Sequence, residues 1–109
     1  MSLSEKKCVS CEGGTPPLKP GEVERYLTEL GEVWSNIDNT RIIKTFIFSN
    51  FADAVEFVNK VAQIAETEGH HPNIYLHSYK KVDIELTTHE IEGLSENDFI
   101  VAAKIDGIE

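Results

Sequence analysis

The sequence predicts an α+β domain: a four-stranded antiparallel sheet with three helices packed on one face. Apolar residues recur at helical spacing in two segments, near residues 20–30 and 50–68, and a capping pattern at Ser95 and Asp98 indicates a third helix to about Ile105. The segments between them are short and rich in β-branched residues, or alternate between apolar and polar side chains. Such alternation is typical of antiparallel strands with one buried face. The predicted order is therefore α-β-β-α-β-β-α.

The first half of the chain is predicted to hold one helix and two strands. The helix runs from Pro20 to Leu30, because four apolar residues there share one face: Val23, Tyr26, Leu27 and Leu30. Trp34 to Ile37 is predicted as a short strand and Asp38 to Thr40 as a turn. Arg41 to Phe48 is predicted as the second strand, since it is dense in β-branched and aromatic residues.

The longest helix is predicted to begin after Asn50 and to end at Gly69. Asn50 is a natural N-cap, and Asp53 lies three residues later in a capping-box-like position. Gly69 supplies the left-handed residue that commonly ends a helix. Phe57 and Ile64 widen the apolar stripe beyond what one sheet face requires. The surplus suggests a subunit contact, although a broad stripe is also compatible with core packing.

The second half is predicted to hold two strands and a closing helix. The third strand is expected from Asn73 to Tyr79, and the fourth, with clean alternation, from Val82 to Thr87. Ser95 is the expected N-cap of the last helix, with Asp98 at its N3 position. That helix is expected to extend to about Ile105.

Length and charge restrict the class of protein. The 109 residues suffice for one domain, predicted at 20–109 and preceded by an irregular N-terminal arm at 1–19. A net charge of −9 disfavours direct binding of nucleic-acid phosphates. No apolar run is long enough to span a membrane, and the first residues lack the hydrophobic core of a signal peptide. A cytoplasmic location is therefore expected.

The two cysteines, Cys8 and Cys11, form one Cys-x-x-Cys motif in the arm. A structural zinc site requires four ligands, so one such pair is a weak metal signal. A thioredoxin-like motif would need a strand before it and a helix after it, and neither is visible. We expect a surface arm with two reduced thiols and assign no function to it.

All four histidines fall within twenty residues: His70, His71, His77 and His89. Imidazole titrates close to neutrality, so this cluster suggests proton transfer or metal binding. Pro72 restricts His71 to extended backbone, so the rings of the adjacent pair should point in different directions. The end of the fourth strand can approach the end of the long helix. His70, His71 and His89 are therefore expected to line one cleft.

The position of His70 makes it a candidate general acid. It lies at a helix C-terminus, which favours imidazolium, and Glu66 precedes it by one helical turn. Glu66 and His70 at this spacing could instead share a metal ion, which is the main alternative chemistry. The other features also have structural explanations: Asp98 as a capping residue, Pro72 as a helix stop and His77 as a bystander in a strand.

The combined spacing resembles the pterin-4a-carbinolamine dehydratase family. The motif is Glu-x-x-x-His-His-Pro, followed by an aromatic residue, a third histidine and an aspartate; here these positions are Glu66, His70, His71, Pro72, Tyr79, His89 and Asp98. The stretch from Thr88 to Asp98 is similar to the family's segment into its last helix. The resemblance covers roughly residues 20–108.

The resemblance implies an activity, a site and no cofactor or metal. The implied reaction removes water from 4a-hydroxytetrahydropterin to give quinonoid dihydropterin, which recycles the pterin of aromatic amino-acid hydroxylases. The implied catalytic residues are His70, His71 and His89. We expect His70 or His89 at the hydroxyl and His71 positioning the pterin, with acid and base unassigned. Supporting or substrate-binding roles are expected for five more residues: Glu66, Pro72, Thr87, Thr88 and Asp98.

The resemblance also implies partners. The substrate would be a small pterin, and the protein would be a homodimer or homotetramer. The acidic composition and the short apolar runs, and not the resemblance, argue against nucleic-acid and membrane partners. The alternative is a non-catalytic scaffold or assembly factor with the same fold, since some relatives are thought to act in that way. Retention of all three family histidines favours the enzyme.

Overall fold

The computed structural model of the chain describes residues 2–9 and 16–108. Three α-helices and a four-stranded antiparallel sheet occur in these ranges, and the predicted order α-β-β-α-β-β-α is confirmed. The elements are α1 (Pro20–Glu29), β1 (Ser35–Ile37), β2 (Arg41–Ile47), α2 (Phe51–Glu68), β3 (Asn73–His77), β4 (Lys81–Leu86) and α3 (Glu96–Asp106). None of the helices within the described ranges combines the length and apolarity needed to cross a bilayer.

The sheet has the strand order β1-β2-β4-β3. Alternate residues of the central strand β4 point toward the helices and are fully buried: Val82, Ile84 and Leu86. Their cross-strand partners include Phe46 on β2 and Ile74 on β3, which lie on the same face. The alternation in the sequence therefore marks the buried face of this sheet correctly.

The third strand ends two residues earlier than predicted. Ser78 and Tyr79 have φ angles of 52° and 54°, which place them in the left-handed region. Extended pairing stops at the bridge between His77 and Lys81, and the chain turns over residues 78–80. Turn geometry of this kind matches the right-handed twist of the flanking strands.

Helix α2 begins as predicted, and Phe57 in its apolar stripe packs in the core of the chain. The Asn50 side chain accepts a hydrogen bond of 2.8 Å from the Asp53 N–H. Phe57 is buried, and its ring lies 4.7 Å from that of Phe46 and 4.9 Å from that of Phe48. Phe57 is therefore part of the core, as the core-packing alternative allowed, because the ring of Phe46 on β2 and the ring of Phe48 just after β2 pack against it.

The N-terminal arm packs on α3. Leu3 lies in a short 3₁₀ turn, Leu3–Glu5, and its side chain is only 5% exposed. Lys104 donates a hydrogen bond of 2.7 Å to the Ser4 carbonyl, and Lys6 forms an ion pair of 2.8 Å with Glu96. Leu3 therefore joins the hydrophobic core, and residues 2–9 of the arm follow α3 toward its N-terminus.

Cys8 is a packed thiol within this arm. It is partly buried, and its Sγ lies 3.7 Å from the Asn97 carbonyl oxygen. Burial, followed by the charge of Glu68, raises the pKa of the Cys8 thiol to about 12. A thiol with so high a pKa is a poor nucleophile at neutral pH. Cys11, the other half of the motif, lies outside the described residues.

Candidate functional site

A buried carboxylate and an imidazole meet where α2 ends and α3 begins. Nε2 of His70 lies 2.6 Å from Oδ1 of Asp98. The Asp98 side chain is fully buried, whereas 13% of the His70 side chain remains accessible. One nitrogen of the imidazole therefore faces a buried carboxylate, while part of the His70 side chain reaches the surface.

The two helix ends place these side chains. Gly69 has a φ of 67°, and the His70 N–H donates to the Ala65 carbonyl at 3.2 Å, which closes α2. Ser95 caps α3 in an extended conformation, so that Asp98 stands at N3. The Ser95 N–H donates to Asp98 Oδ2 at 3.0 Å, as the predicted capping box requires.

Asp98 serves both as a helix cap and as a partner of His70. Its Oδ2 also accepts a hydrogen bond of 2.8 Å from the Thr88 hydroxyl, and the Ser95 hydroxyl lies 2.9 Å from that of Thr88. Because Oδ2 already accepts hydrogen bonds from Thr88 and Ser95, we assign Asp98 as the acceptor and Nε2 of His70 as the donor at the Oδ1 contact. Nδ1 of His70 is then the nitrogen left to bind or exchange a proton.

Glu66 has a different partner from the one expected, because it contacts His71 and not His70. Nε2 of His71 lies 2.8 Å from Oε2 of Glu66, and both side chains are well exposed. The expectation that Glu66 supports His70 is therefore wrong. Because Gly69 turns the chain out of the helical spiral, His70 swings toward α3 and the following histidine takes its place beside Glu66.

The loop after β4 brings Thr88 into the site and leaves His89 exposed. His89 directly follows Thr88, whose hydroxyl donates to the carboxylate that holds His70, and it starts the 3₁₀ turn His89–Ile91. The Thr87 hydroxyl donates to the Thr40 carbonyl at 2.6 Å, which ties this loop to the turn before β2. Thr88 is thus connected to His70 through one buried carboxylate, and His89 adjoins Thr88 in the sequence.

Pro72 lies between the exposed His71 and the start of β3, and it is only partly accessible. It separates the helix end from the strand that begins at Asn73. This position agrees with its expected part in redirecting the chain after α2.

His77 has a carboxylate partner outside this site. Its Nε2 lies 3.1 Å from Oδ2 of Asp83, and its ring stacks on Tyr75 with centroids 4.8 Å apart. A hydrogen bond from Thr45, followed by the contact with His77, lowers the pKa of Asp83. The strand register places this pair on the sheet face away from the buried residues. Spacing along the sequence did not reveal the partner, because it lies diagonally across two strands.

Two more residues adjoin the His70–Asp98 pair without any sequence signal. Glu68 stands two residues before His70, and Asn97 stands directly before Asp98; both side chains bind the backbone of the N-terminal arm. Only their position beside the paired residues could have drawn attention to them.

Within residues 2–9 and 16–108, no group of three or more histidine, cysteine, aspartate and glutamate side chains has the arrangement of a metal site.

Fold and site together define an α+β domain with a carboxylate-held imidazole at the junction of two helices. Residues 16–108 match the family described as pterin 4 alpha carbinolamine dehydratase. The chain belongs to this family, and the resemblance seen in its histidine motif is confirmed.

Relatives match over nearly their whole length. Chains named "Putative pterin-4-alpha-carbinolamine dehydratase" from Alkaliphilus metalliredigens and Rickettsia canadensis are each 49% identical. The matches cover 96% and 95% of this chain and 94% of each relative. A crystal structure of a transcriptional coactivator/pterin dehydratase from Brucella melitensis superposes with a TM-score of 0.75 at 32% identity, covering 83% of this chain and 95% of the other.

A second solved structure is more distant. It is that of a pterin dehydratase-like protein identified as a RuBisCO assembly factor in the alpha-carboxysome. It superposes with a TM-score of 0.54 at 26% identity and covers 67% of this chain and 82% of the other. The fold is therefore shared with proteins whose described roles differ.

Proposed function

We propose that this chain is a hydro-lyase that eliminates water from a 4a-hydroxytetrahydropterin and releases the quinonoid dihydropterin. The observation that carries the proposal is the His70–Asp98 contact of 2.6 Å. It fixes one imidazole nitrogen on a buried carboxylate and leaves the other for proton exchange with a bound molecule. Family membership and the names of the relatives support the pterin as substrate.

The reaction requires two proton transfers. The bond between C4a and the hydroxyl oxygen breaks, the oxygen keeps the electron pair, and a proton converts the leaving group to water. A ring nitrogen loses a proton, and its electron pair forms the new double bond. Two positioned imidazoles can supply both transfers, each with an acceleration of about 10²–10⁴-fold. His70 and His89 share the acid and base roles in this proposal, and His71 positions the pterin.

The supporting residues act through the histidines. Asp98 holds His70 in the tautomer with Nε2 protonated and would stabilise the imidazolium formed during turnover. Glu66 orients His71. Thr88 holds the carboxylate, whereas Thr87 and Pro72 shape the two chain segments that carry the histidines.

The proposed setting is recycling of the pterin used by aromatic amino-acid hydroxylases, in the cytoplasm, by a homodimer or homotetramer. Three large apolar side chains support self-association because they are more than half exposed: Ile47, Phe51 and Tyr75. The net charge of −9 supports a small pterin ligand over a nucleic acid.

The function is tested by mixing the protein with enzymatically generated 4a-hydroxytetrahydropterin and following absorbance as the quinonoid product forms. We expect product to appear faster than in the protein-free reaction, in proportion to the protein added. A His77→Ala variant should retain this activity, because His77 lies on the other face of the sheet. A rate equal to that without protein would overturn the proposal.

The second candidate is a scaffold or assembly factor. It is favoured by the likeness to the RuBisCO assembly factor, at 26% identity and a TM-score of 0.54. A scaffold would fold and associate without any need for the His70–Asp98 pair. Normal folding together with no dehydration by the unaltered protein would therefore replace the enzyme with this role.

A further inference from the structure

The arm reaches both helix ends that form the candidate site. The N–H of Cys8 donates a hydrogen bond of 2.9 Å to Oε1 of Glu68, the last residue of α2. The N–H of the next residue, Val9, donates one of 3.1 Å to Oδ1 of Asn97 in the first turn of α3. Two consecutive backbone amides thus connect the end of one helix to the start of the other.

The receiving side chains are well shielded from solvent. Asn97 is 5% exposed, and its amide nitrogen also donates to the Val9 carbonyl, so both halves of the amide hold the same arm residue. The Glu68 side chain is 9% exposed and lies 3.8 Å from Lys104. Hydrogen bonds in such shielded places are costly to lose, because the freed groups have little access to water.

We propose that Cys8 and Val9 form a backbone strap that sets the spacing of His70 and Asp98, with Glu68 and Asn97 as positioning residues. Glu68 stands two residues before His70, and Asn97 is adjacent to Asp98, so the strap spans the same gap as the 2.6 Å contact. The proposal rests on the proposed function for its kinetic part only. Misplacement by about 1 Å at such a site can cost about 100-fold in rate.

The strap assigns a use to the arm that does not involve thiol chemistry. Cys8 contributes its backbone N–H, while its own thiol is packed against the Asn97 carbonyl. Burial of that thiol raises its pKa to about 12, in keeping with a packing group.

The test compares Glu68→Ala and Asn97→Ala, singly and together, with two controls. Glu68→Gln keeps an acceptor for the Cys8 N–H, and Lys6→Met removes an arm contact to Glu96 that does not bridge the two helices. Hydrogen exchange of the Cys8 and Val9 amides reports release of the strap. The ring ¹⁵N signals of His70, recorded without substrate, report its contact with Asp98.

In the alanine variants we expect faster exchange of both amides, a shifted Nε2 signal and a kcat lowered about 10-fold to 100-fold with KM nearly unchanged. Glu68→Gln and Lys6→Met should resemble the unaltered protein. The strap is refuted if the two amides stay protected in the double variant, or if they are released while the His70 signal does not move. If Asn97→Ala does not fold, the strap is tested with Glu68→Ala alone. It is refuted if the Cys8 amide stays protected, or if that amide is released while the His70 signal does not move.

The spectroscopic result does not depend on turnover. An unaltered protein without dehydratase activity would overturn the proposed function, and the His70 signal would still decide whether the strap positions the pair.

Discussion

Asp98 accepts hydrogen bonds from the Ser95 N–H and from His70 Nε2, so one buried carboxylate caps a helix and orients an imidazole. The two functions use different oxygen atoms of the same side chain. Structural and functional explanations of Asp98 are therefore compatible, because the capping geometry aims the second oxygen at the end of α2.

Replacing Asp98 should impair both stability and activity. In Asp98→Asn an amide nitrogen would face the donors on Ser95, Thr88 or His70, leaving at least one buried donor unpaired at a cost of about 1–3 kcal/mol. Loss of the tautomer control should lower kcat by about 10²–10⁴-fold. Urea unfolding and the dehydration assay measure the two effects.

A matched control exists on the other sheet face. Asp83→Asn alters a second histidine–carboxylate pair, His77 with Asp83, which is about a quarter exposed. We expect it to leave kcat within about twofold, because only disruption of the site itself should slow the reaction. Equal losses of activity in the two variants would contradict the assignment of the site.

The left-handed Gly69 should be sensitive to an added methyl group. Neither Gly69 nor Gly21 has a neighbouring heavy atom within 4 Å of an added Cβ, but only Gly69 has positive φ, at 67°. Gly69→Ala should therefore lower the free energy of unfolding by about 1–2 kcal/mol. Gly21→Ala, within α1, should raise it by about 0.5–1 kcal/mol. If urea unfolding showed the same change in unfolding free energy for both variants, backbone strain at Gly69 would be ruled out.

The ion pair between Lys6 and Glu96 should make the stability of the protein depend on pH in the acidic range. The hydrogen bond from Lys6 holds the pKa of Glu96 below its ordinary value of 4.5. The ionised Glu96 therefore contributes to the free energy of unfolding. This contribution is fully present above pH 4.5 and is lost as pH falls through the lower folded-state pKa of Glu96. In Glu96→Gln, the decline of unfolding free energy between pH 6 and pH 3 should be shallower. The exposed Glu24→Gln variant serves as control, and identical slopes for Glu96→Gln and the unaltered protein would disprove the coupling.

Cys8 should resist alkylation in the folded protein. Because burial raises its thiol pKa to about 12, little thiolate exists at pH 8. In a Cys11→Ser background, iodoacetamide should modify Cys8 at least about 10-fold more slowly in buffer than in 8 M urea. Mass spectrometry measures the rate of Cys8 alkylation. Equal rates in buffer and in urea would show that the thiol is not packed as described.

Local chemistry made most of the fold predictable from the sequence. The N-caps Asn50 and Ser95 and the left-handed stop Gly69 act within one helical turn, so their residue types suffice to locate helix ends. The alternation in β4 likewise reflects one buried face. The strand end at His77 was missed because neither Ser78 nor Tyr79 is a residue type that usually adopts positive φ.

The partners in the site depend on contacts between elements and could not be derived from spacing. Glu66 and His70 have ideal helical spacing, yet Gly69 turns the chain so that His70 meets Asp98 on another helix. The pairing of His77 with Asp83 requires the register of β3 on β4. Docking of the arm on Glu68 and Asn97 has no local signature.

The central claim is that His70, held by Asp98, transfers a proton during dehydration. The most direct measurement is the single-turnover rate of 4a-hydroxytetrahydropterin dehydration by the unaltered protein, His70→Ala and His77→Ala at saturating protein. We expect His77→Ala to match the unaltered protein and His70→Ala to be slower by about 10²–10⁴-fold. A folded His70→Ala variant that dehydrates the pterin at the unaltered rate would contradict the account.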